Sequence, residues 1–268
     1  MSPGFVSIDW AGRPVTIEHA FVGLNDAQRA LIVFLHEGLG SLAMWRDFPQ
    51  RLCEATGCRG LVYSRPGYGK STPRAADEAW GLDFMHRQAD EVLPALLAAL
   101  GVTGRYALFG HSDGGSIALI HAAHHPERVA AAVVLAPHIR VEEFGLASIR
   151  QAREQYLHGD LRGRLARHHD DVDSAFWGWN HIWLAPDFPQ WQISSDLNNI
   201  RCPVLAIQGI DDPYGTLAQI EGIAQAVPDT QLLTLTGCGH SPHRDQPDAV
   251  LAACQRFLAR PHPQETPR

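Results

Sequence analysis

Apolar residues fall in two rhythms along the chain, and their order predicts an alternation of strands and helices. Phe5 to Trp10 and Val15 to Val22 predict two β segments that turn at Ala11-Gly12, an opening hairpin. Ala30 to Leu35 is a continuous apolar run, the mark of a parallel strand covered on both faces. Leu42 to Ala55 predicts a helix with Leu42, Trp45, Phe48 and Leu52 along one face and Ser41 as its N-cap. Arg59 to Tyr63 predicts the next strand. A helix over Asp83 to Leu100 follows, striped by Met85, Ala89, Val92, Leu96 and Leu100. The run Arg105 to Phe109 leads into Gly110-His111-Ser112-Asp113-Gly114, then into the Ile117 to Ala123 helix pattern, and Arg128 to Ala136 reads as another buried strand. Strand and helix in strict turn predict a mostly parallel, doubly wound α/β sheet.

The alternation stops at His138. From there to Asp196 there are helical patches, charges and four of the seven tryptophans (Trp177, Trp179, Trp183 and Trp191), without a strand-like run. It resumes with the strand Pro203 to Gln208, a helix near Thr216 to Ala226, the strand Gln231 to Leu235 and a helix near Pro247 to Arg260. The irregular stretch predicts an inserted helical cap over residues 138–196, with a core made of 1–137 and 197–268. The Pro-rich tail from Pro261 is expected to fray.

Composition narrows the function classes. A formal net charge of −7 without a basic run gives nucleic acid no electrostatic footing. The stretch Met1 to Gly12 has no basic-then-apolar leader pattern, and no run reaches membrane-span length, so a cytoplasmic setting without a membrane partner is expected. Cys53, Cys58, Cys202, Cys238 and Cys254 are an odd set without metal-ligand spacing and predict reduced, mostly buried thiols. His121, His124 and His125, and the cluster His168-His169-Asp170-Asp171, read as solvated helix faces rather than metal sites. His36-Glu37 does not open a zinc motif, because position 40 is glycine. No metal or cofactor is expected; the partner is a small-molecule substrate, and a homo-oligomer is compatible with the sequence.

The chemistry centres on Ser112. Strand, Gly-x-Ser-x-Gly and helix in that order make a nucleophile elbow, with glycines at 110 and 114 where the backbones of strand and helix come too close for a Cβ. A serine nucleophile needs a base, and the base needs an orienting acid. Open α/β sheets put such groups on loops after later strands. Gly209-Ile210-Asp211-Asp212 offers two acids, and Gly239-His240-Ser241-Pro242-His243 offers two bases. Gly239 favours His240, because it gives the loop backbone freedom.

With these loops the chain resembles the α/β-hydrolase superfamily, in the group of capped esterases and C–C bond hydrolases. Four motifs carry the resemblance between Leu31 and His240: His36-Glu37-Gly38, the turn Arg65-Pro66-Gly67-Tyr68-Gly69-Lys70-Ser71, the elbow, and the late Asp and His loops. It implies an α/β-hydrolase fold, a triad of Ser112, Asp212 and His240, and an oxyanion hole from the backbone N–H groups of Gly38 and Asp113. The Asp113 side chain has no part in that hole. Glu37 departs from the family, which usually has glycine there, and its carboxylate is expected to bond to backbone or arginine. His138 and the cap residues Trp177, Trp179 and Trp183 are candidates to line the pocket. The expected activity is hydrolysis of a small carboxylic ester through an acyl-enzyme. A C–C bond hydrolase of ring-cleavage products, a thioesterase, a lactonase or an aminopeptidase would keep the same triad, and a small-molecule receptor is the non-enzyme alternative. Ser112 stands where dehalogenase and epoxide-hydrolase relatives carry Asp, which argues against their chemistry.

Overall fold

The strand-forming runs collect into a single sheet. The computed structural model describes residues 3–24, 26, 28–75 and 78–259, so the tail from Pro261 lies outside the described residues. The strands are β1 (Gly4–Trp10), β2 (Arg13–Gly23), β3 (Leu31–Leu35), β4 (Arg59–Tyr63), β5 (Tyr106–His111), β6 (Val129–Leu135), β7 (Val204–Gly209) and β8 (Thr230–Leu235). They form an eight-stranded sheet in the order β1-β2-β4-β3-β5-β6-β7-β8. β1 and β2 pair antiparallel, as do β2 and β4, and all later neighbours are parallel. The opening turn works because Ala11 and Gly12 both take left-handed φ values, 55° and 73°, which match the twist of a two-residue hairpin.

The unbroken apolar runs follow from coverage on both faces. In β3, Ile32 and Phe34 face one cluster with the helices Phe48–Thr56 and Pro247–Leu258, while Leu31, Val33 and Leu35 face the other with the helix Asp113–His124. β5 divides the same way, with Leu108 on one side and Phe109 on the other. At β3 and β5 the strand order turns back on itself, and the C-terminal ends of these two strands diverge into the loops that carry Gly38 and Ser112. Open α/β sheets leave a crevice at such a point.

Proline overrides periodicity in two helices. The pattern Leu42 to Ala55 is split into a 3₁₀ turn, Leu42–Trp45, and the helix Phe48–Thr56, with Arg46 at φ 55° between them. Pro49 has no N–H for the carbonyl a turn earlier and sits in the first turn of the second helix. Ser41 makes no side-chain cap, contrary to expectation, and its hydroxyl is buried without a partner. The Asp83 to Leu100 pattern becomes helix Phe84–Arg87, a π turn Gln88–Val92, and helix Leu93–Ala99. Pro94 cannot donate to Asp90, and the wider turn ahead of it accommodates the missing bond.

Between β6 and β7 lie the helices Glu143–His158, Leu161–Leu165, Val172–Trp183 and Ser194–Leu197, with one short bridge, Arg140 to Gln192. Asp171 caps the third of these by accepting from the Ser174 N–H at 2.8 Å. This segment is tied down through His169. Its Nδ1 accepts from the Gly69 N–H and its Nε2–H donates to the Leu39 carbonyl, both at 3.0 Å. His169 is therefore buried, not solvated as expected, and burial pushes its pKa down to about 4. His121 corrects the same expectation. It is buried between the Ala89 carbonyl and the Tyr106 hydroxyl, each at 2.7 Å, and burial pushes it to about 3. Period alone does not separate a solvated helical face from one covered by a neighbouring element. No described helix is long and apolar enough to cross a membrane.

Candidate active site

At the end of β5 the chain reverses sharply into the helix Asp113–His124. Ser112 occupies the bend at φ 53° and ψ −122°, a strained conformation that costs a non-glycine residue about 1 to 3 kcal/mol. The surrounding frame holds it there: Ser112 N–H donates to Leu135 O at 2.9 Å, and its carbonyl accepts from Gly115 and Ser116 N–H at 2.8 and 3.0 Å. A Cβ on Gly110 would lie 2.2 Å from the Gly114 carbonyl oxygen, and one on Gly114 would lie 2.1 Å from that of Leu35. Those opposing groups are backbone, so both positions require glycine.

The imidazole of His240 meets this serine across 128 residues of chain. Ser112 Oγ and His240 Nε2 are 2.9 Å apart, and His240 Nδ1 lies 2.9 and 2.8 Å from the two carboxylate oxygens of Asp212. Asp212, not the exposed Asp211, is the acid in contact with the base. Nδ1–H donating to Asp212 leaves Nε2 free to take the serine proton. Burial works against the charge on Asp212, but His240 and the Tyr214 N–H together hold its carboxyl below the usual range. Two donors that the sequence did not announce fix that carboxylate: Tyr214 N–H to Oδ1 at 2.8 Å and Gln208 Nε2 to Oδ2 at 2.7 Å. The Tyr214 ring also packs at a tilt against His240, with centroids 4.6 Å apart. His111 Nε2–H donates to the His240 carbonyl at 2.6 Å and so steadies the loop. His243, the other candidate base, is buried against Trp45, Phe48 and His111 and does not reach the serine's partners.

Glu37 lies beside Arg244 Nη2 at 3.4 Å and His111 Nδ1 at 3.5 Å. Burial opposes its charge, and His111 with Arg244 overcomes that, holding its carboxyl well below the usual range. Arg65, fully buried, donates from Nη2 to the Glu37 carbonyl at 2.9 Å, while its backbone N–H donates to His36 Nε2 at 3.0 Å. His36 Nδ1–H in turn donates to the Glu37 carbonyl at 2.7 Å. Burial and the Arg65 charge keep His36 neutral, with its pKa well below the ordinary value. The loop before Gly38 is therefore rigid on both sides.

A cavity of about 100 Å³ opens over Ser112, walled by Gly38, Leu39, Asp113, His138, Ile149, Trp179, Trp183, Tyr214 and His240, with Glu37 at its edge. His138 is positioned by Ser116, whose hydroxyl donates to the His138 carbonyl at 2.6 Å, and burial with the nearby His240 pushes its pKa to about 4. Of the expected tryptophans, Trp179 and Trp183 line this cavity. Trp177 does not: it packs on Tyr156, Phe176 and His181 and borders a separate surface hollow with Trp80. On one helix, position 177 lies about 200° around the axis from 179 and so faces the other way, whereas 179 and 183 are four apart and share a face. That spacing could have separated them from sequence. Among the described residues no cluster of His, Cys, Asp and Glu suits a metal ion.

Asp113 has a carboxyl that burial pushes up to about 6, with Arg65 and the Trp183 indole opposing the rise. A carboxyl raised from 3.8 binds its proton more tightly folded than unfolded. Its contribution to stability is therefore greatest below about 3.8 and is lost as pH rises through about 6. Asp113→Asn removes this dependence. Between pH 4.5 and 7.5 the wild type loses about 2 kcal/mol relative to the variant, read by urea denaturation. Parallel stability profiles would contradict it.

This chain belongs to the alpha/beta hydrolase family, whose model matches residues 32–253. It is 26% identical over 286 residues to a 2-hydroxy-6-oxo-6-phenylhexa-2,4-dienoate hydrolase of Burkholderia cepacia, covering 95% of this chain and 96% of that protein. It is 36% identical over 253 residues to the putative carbamate hydrolase RutD of Variovorax paradoxus (strain S110), covering 85% and 91%. In structure it superposes on the enol-lactonase from Burkholderia xenovorans LB400 with a TM-score of 0.75 at 20% identity, over 96% of this chain and 100% of that one. The fold is thus that of the α/β hydrolases, and the proteins it resembles are hydrolases and esterases.

Proposed function

We propose that the protein hydrolyses a small carboxylic ester through an acyl-enzyme on Ser112, with residues 138–196 acting as a cap over the site. The reading rests on the hydrogen-bonded line from Ser112 Oγ through His240 to Asp212 at the floor of a small cavity. Ser112 Oγ attacks the ester carbonyl as His240 Nε2 takes its proton, and Asp212 stabilises the resulting imidazolium. Backbone N–H groups of Gly38 and Asp113 receive the oxyanion, each contributing about 3 to 4 kcal/mol in comparable sites. Collapse breaks the C–O bond, and His240 protonates the departing alcohol. Water, deprotonated by His240, then attacks the acyl-enzyme and releases the acid and the free serine.

Two features favour an uncharged ester over a ring-opened dienoate such as the substrate named for the Burkholderia cepacia relative. The cavity holds only about 100 Å³, and among the described residues no Lys or Arg lines it. Glu37 and Asp113 would instead set negative charge against a carboxylate substrate. Reduced thiols fit a cytoplasmic setting. The test is a panel of p-nitrophenyl esters graded by acyl length beside a ring-opened dienoate. Turnover is highest for two- to four-carbon acyl groups and falls beyond them, and the dienoate is not cleaved. Dienoate cleavage faster than any ester would replace this reading with C–C hydrolysis.

A further inference from the structure

The carbonyl oxygen of Glu37 collects three donors. His36 Nδ1–H reaches it at 2.7 Å, Arg65 Nη2 at 2.9 Å and Gly40 N–H at 3.0 Å. A carbonyl oxygen has two lone pairs, so three donors, one of them cationic, polarise it strongly. His36 can donate there because its Nε2 accepts from the Arg65 N–H at 3.0 Å, which puts the ring proton on Nδ1. The other end of the same peptide is the Gly38 N–H. In a trans peptide that N–H points opposite to the carbonyl, hence away from Arg65, and Gly38 itself lines the cavity over Ser112.

Arg65 is placed at a cost. Its side chain is fully buried, packs over the Tyr68 ring with Cζ 4.7 Å from the centroid, and leaves Nε and Nη1 without a partner. The nearby carboxylates do not take those donors. Asp113 Oδ1 accepts from Trp183 Nε1 and its Oδ2 is buried unpartnered, while the Glu37 carboxylate lies against Arg244 and His111. An interior guanidinium without a bonded anion is unfavourable for stability, so its retention calls for a role.

We propose that Arg65 and His36 are positioning residues for the oxyanion hole, acting through the Glu37 carbonyl to aim and polarise the Gly38 N–H. Electron density drawn onto the carbonyl leaves the amide nitrogen by resonance, which makes its N–H a stronger donor. The guanidinium charge stands behind that peptide, where it favours an oxyanion forming in front of it without touching substrate. Burial holds the arrangement in place before the reaction begins. The inference rests on the ester-hydrolase reading and adds the source of its oxyanion stabilisation.

The experiment measures kcat and KM for p-nitrophenyl acetate in wild type, Arg65→Met and Arg65→Lys, with Ki for 1,1,1-trifluorobutan-2-one and butan-2-one. The Ser112 hydroxyl adds to the fluorinated ketone, its proton passing to His240, and leaves a tetrahedral oxyanion; butan-2-one keeps its carbonyl and reads ground-state binding. Arg65→Met lowers kcat about ten-fold and weakens the fluorinated ketone by the same factor, leaving KM and the butan-2-one Ki within about two-fold. Arg65→Lys keeps the charge but not the planar fork, and loses about three-fold in both. A wild-type kcat in Arg65→Met overturns the proposal, as does an equal loss of affinity for both ketones, the mark of a merely structural role. If Arg65→Met does not fold, Arg65→Lys decides: kcat and fluorinated-ketone affinity fall together, and wild-type values or a fall in only one of them overturns the proposal. Failure of the wild type on every ester would refute the underlying reading, whereas an active wild type matched by Arg65→Met refutes only the role of Arg65.

Discussion

Ser112→Ala lowers kcat for a short-chain ester by about 10⁶-fold, the scale seen when an acyl-transfer serine is removed from an intact site. The loss is this large because, among the described residues, no other serine or threonine lines the cavity. Ser116 Oγ, one helical turn on, is committed to the His138 carbonyl at 2.6 Å. The variant still carries the backbone N–H groups of Gly38 and Asp113, so a small rate above solution hydrolysis persists. Labelling by a fluorophosphonate disappears with the turnover, and the melting temperature stays close to wild type, since one buried hydroxyl is lost and the bend is kept. Undiminished turnover in this variant would remove Ser112 from the mechanism.

Asp212→Asn has the second largest effect, about 10⁴-fold in kcat, and the cause is a tautomer. Both carboxylate oxygens already receive donors, Tyr214 N–H on Oδ1 and Gln208 Nε2 on Oδ2, while His240 Nδ1–H bonds to the same pair. An amide at this position brings two hydrogens into a space built for acceptors. It satisfies them by accepting from Tyr214, turning Gln208 over so that its unpartnered Oε1 accepts, and donating to His240 Nδ1. The histidine proton then moves to Nε2, which can no longer take the proton of Ser112. Asp211→Asn, on the exposed side of the same turn, changes kcat by no more than about two-fold. Comparable losses in the two variants would dissolve the distinction between them.

The strand pattern was easy to read because a sheet covered on both faces has no polar positions to blur it. Ile32, Val33 and Phe34, only 1%, 0% and 0% exposed, illustrate this, and the observed ends lie within a residue or two of those expected. Helix ends were harder. Pro49 and Pro94 act on the backbone, and an apolar stripe does not register a missing N–H. Ser112 and Asp212 were legible because Gly110, Gly114 and Gly209 stand where a Cβ would run into backbone, whereas Gly239 beside His240 meets no such constraint. Gln208 and Tyr214 were not, since one looks like the last apolar-flanked residue of a strand and the other contributes its main chain. Glu37 stands out from the family pattern, but its arginine partner, Arg244, is 207 residues away in sequence, a pairing that no local pattern encodes. Trp177 shows the limit of composition: tryptophan content marked the segment, but only the helical angle tells which indole turns toward the serine.

All five cysteines are unbridged, and burial raises the thiol pKa of Cys53, Cys202 and Cys254 to about 12. At neutral pH these sulfurs hold their protons and present almost no thiolate to an oxidant or an alkylating reagent. No covalent crosslink holds the sheet together, so added reductant leaves its stability untouched. Maleimide chemistry is then directed to Cys58, the one thiol that is not fully enclosed, which gives a single attachment point on the opposite end of β4 from the loops that carry Ser112 and His240.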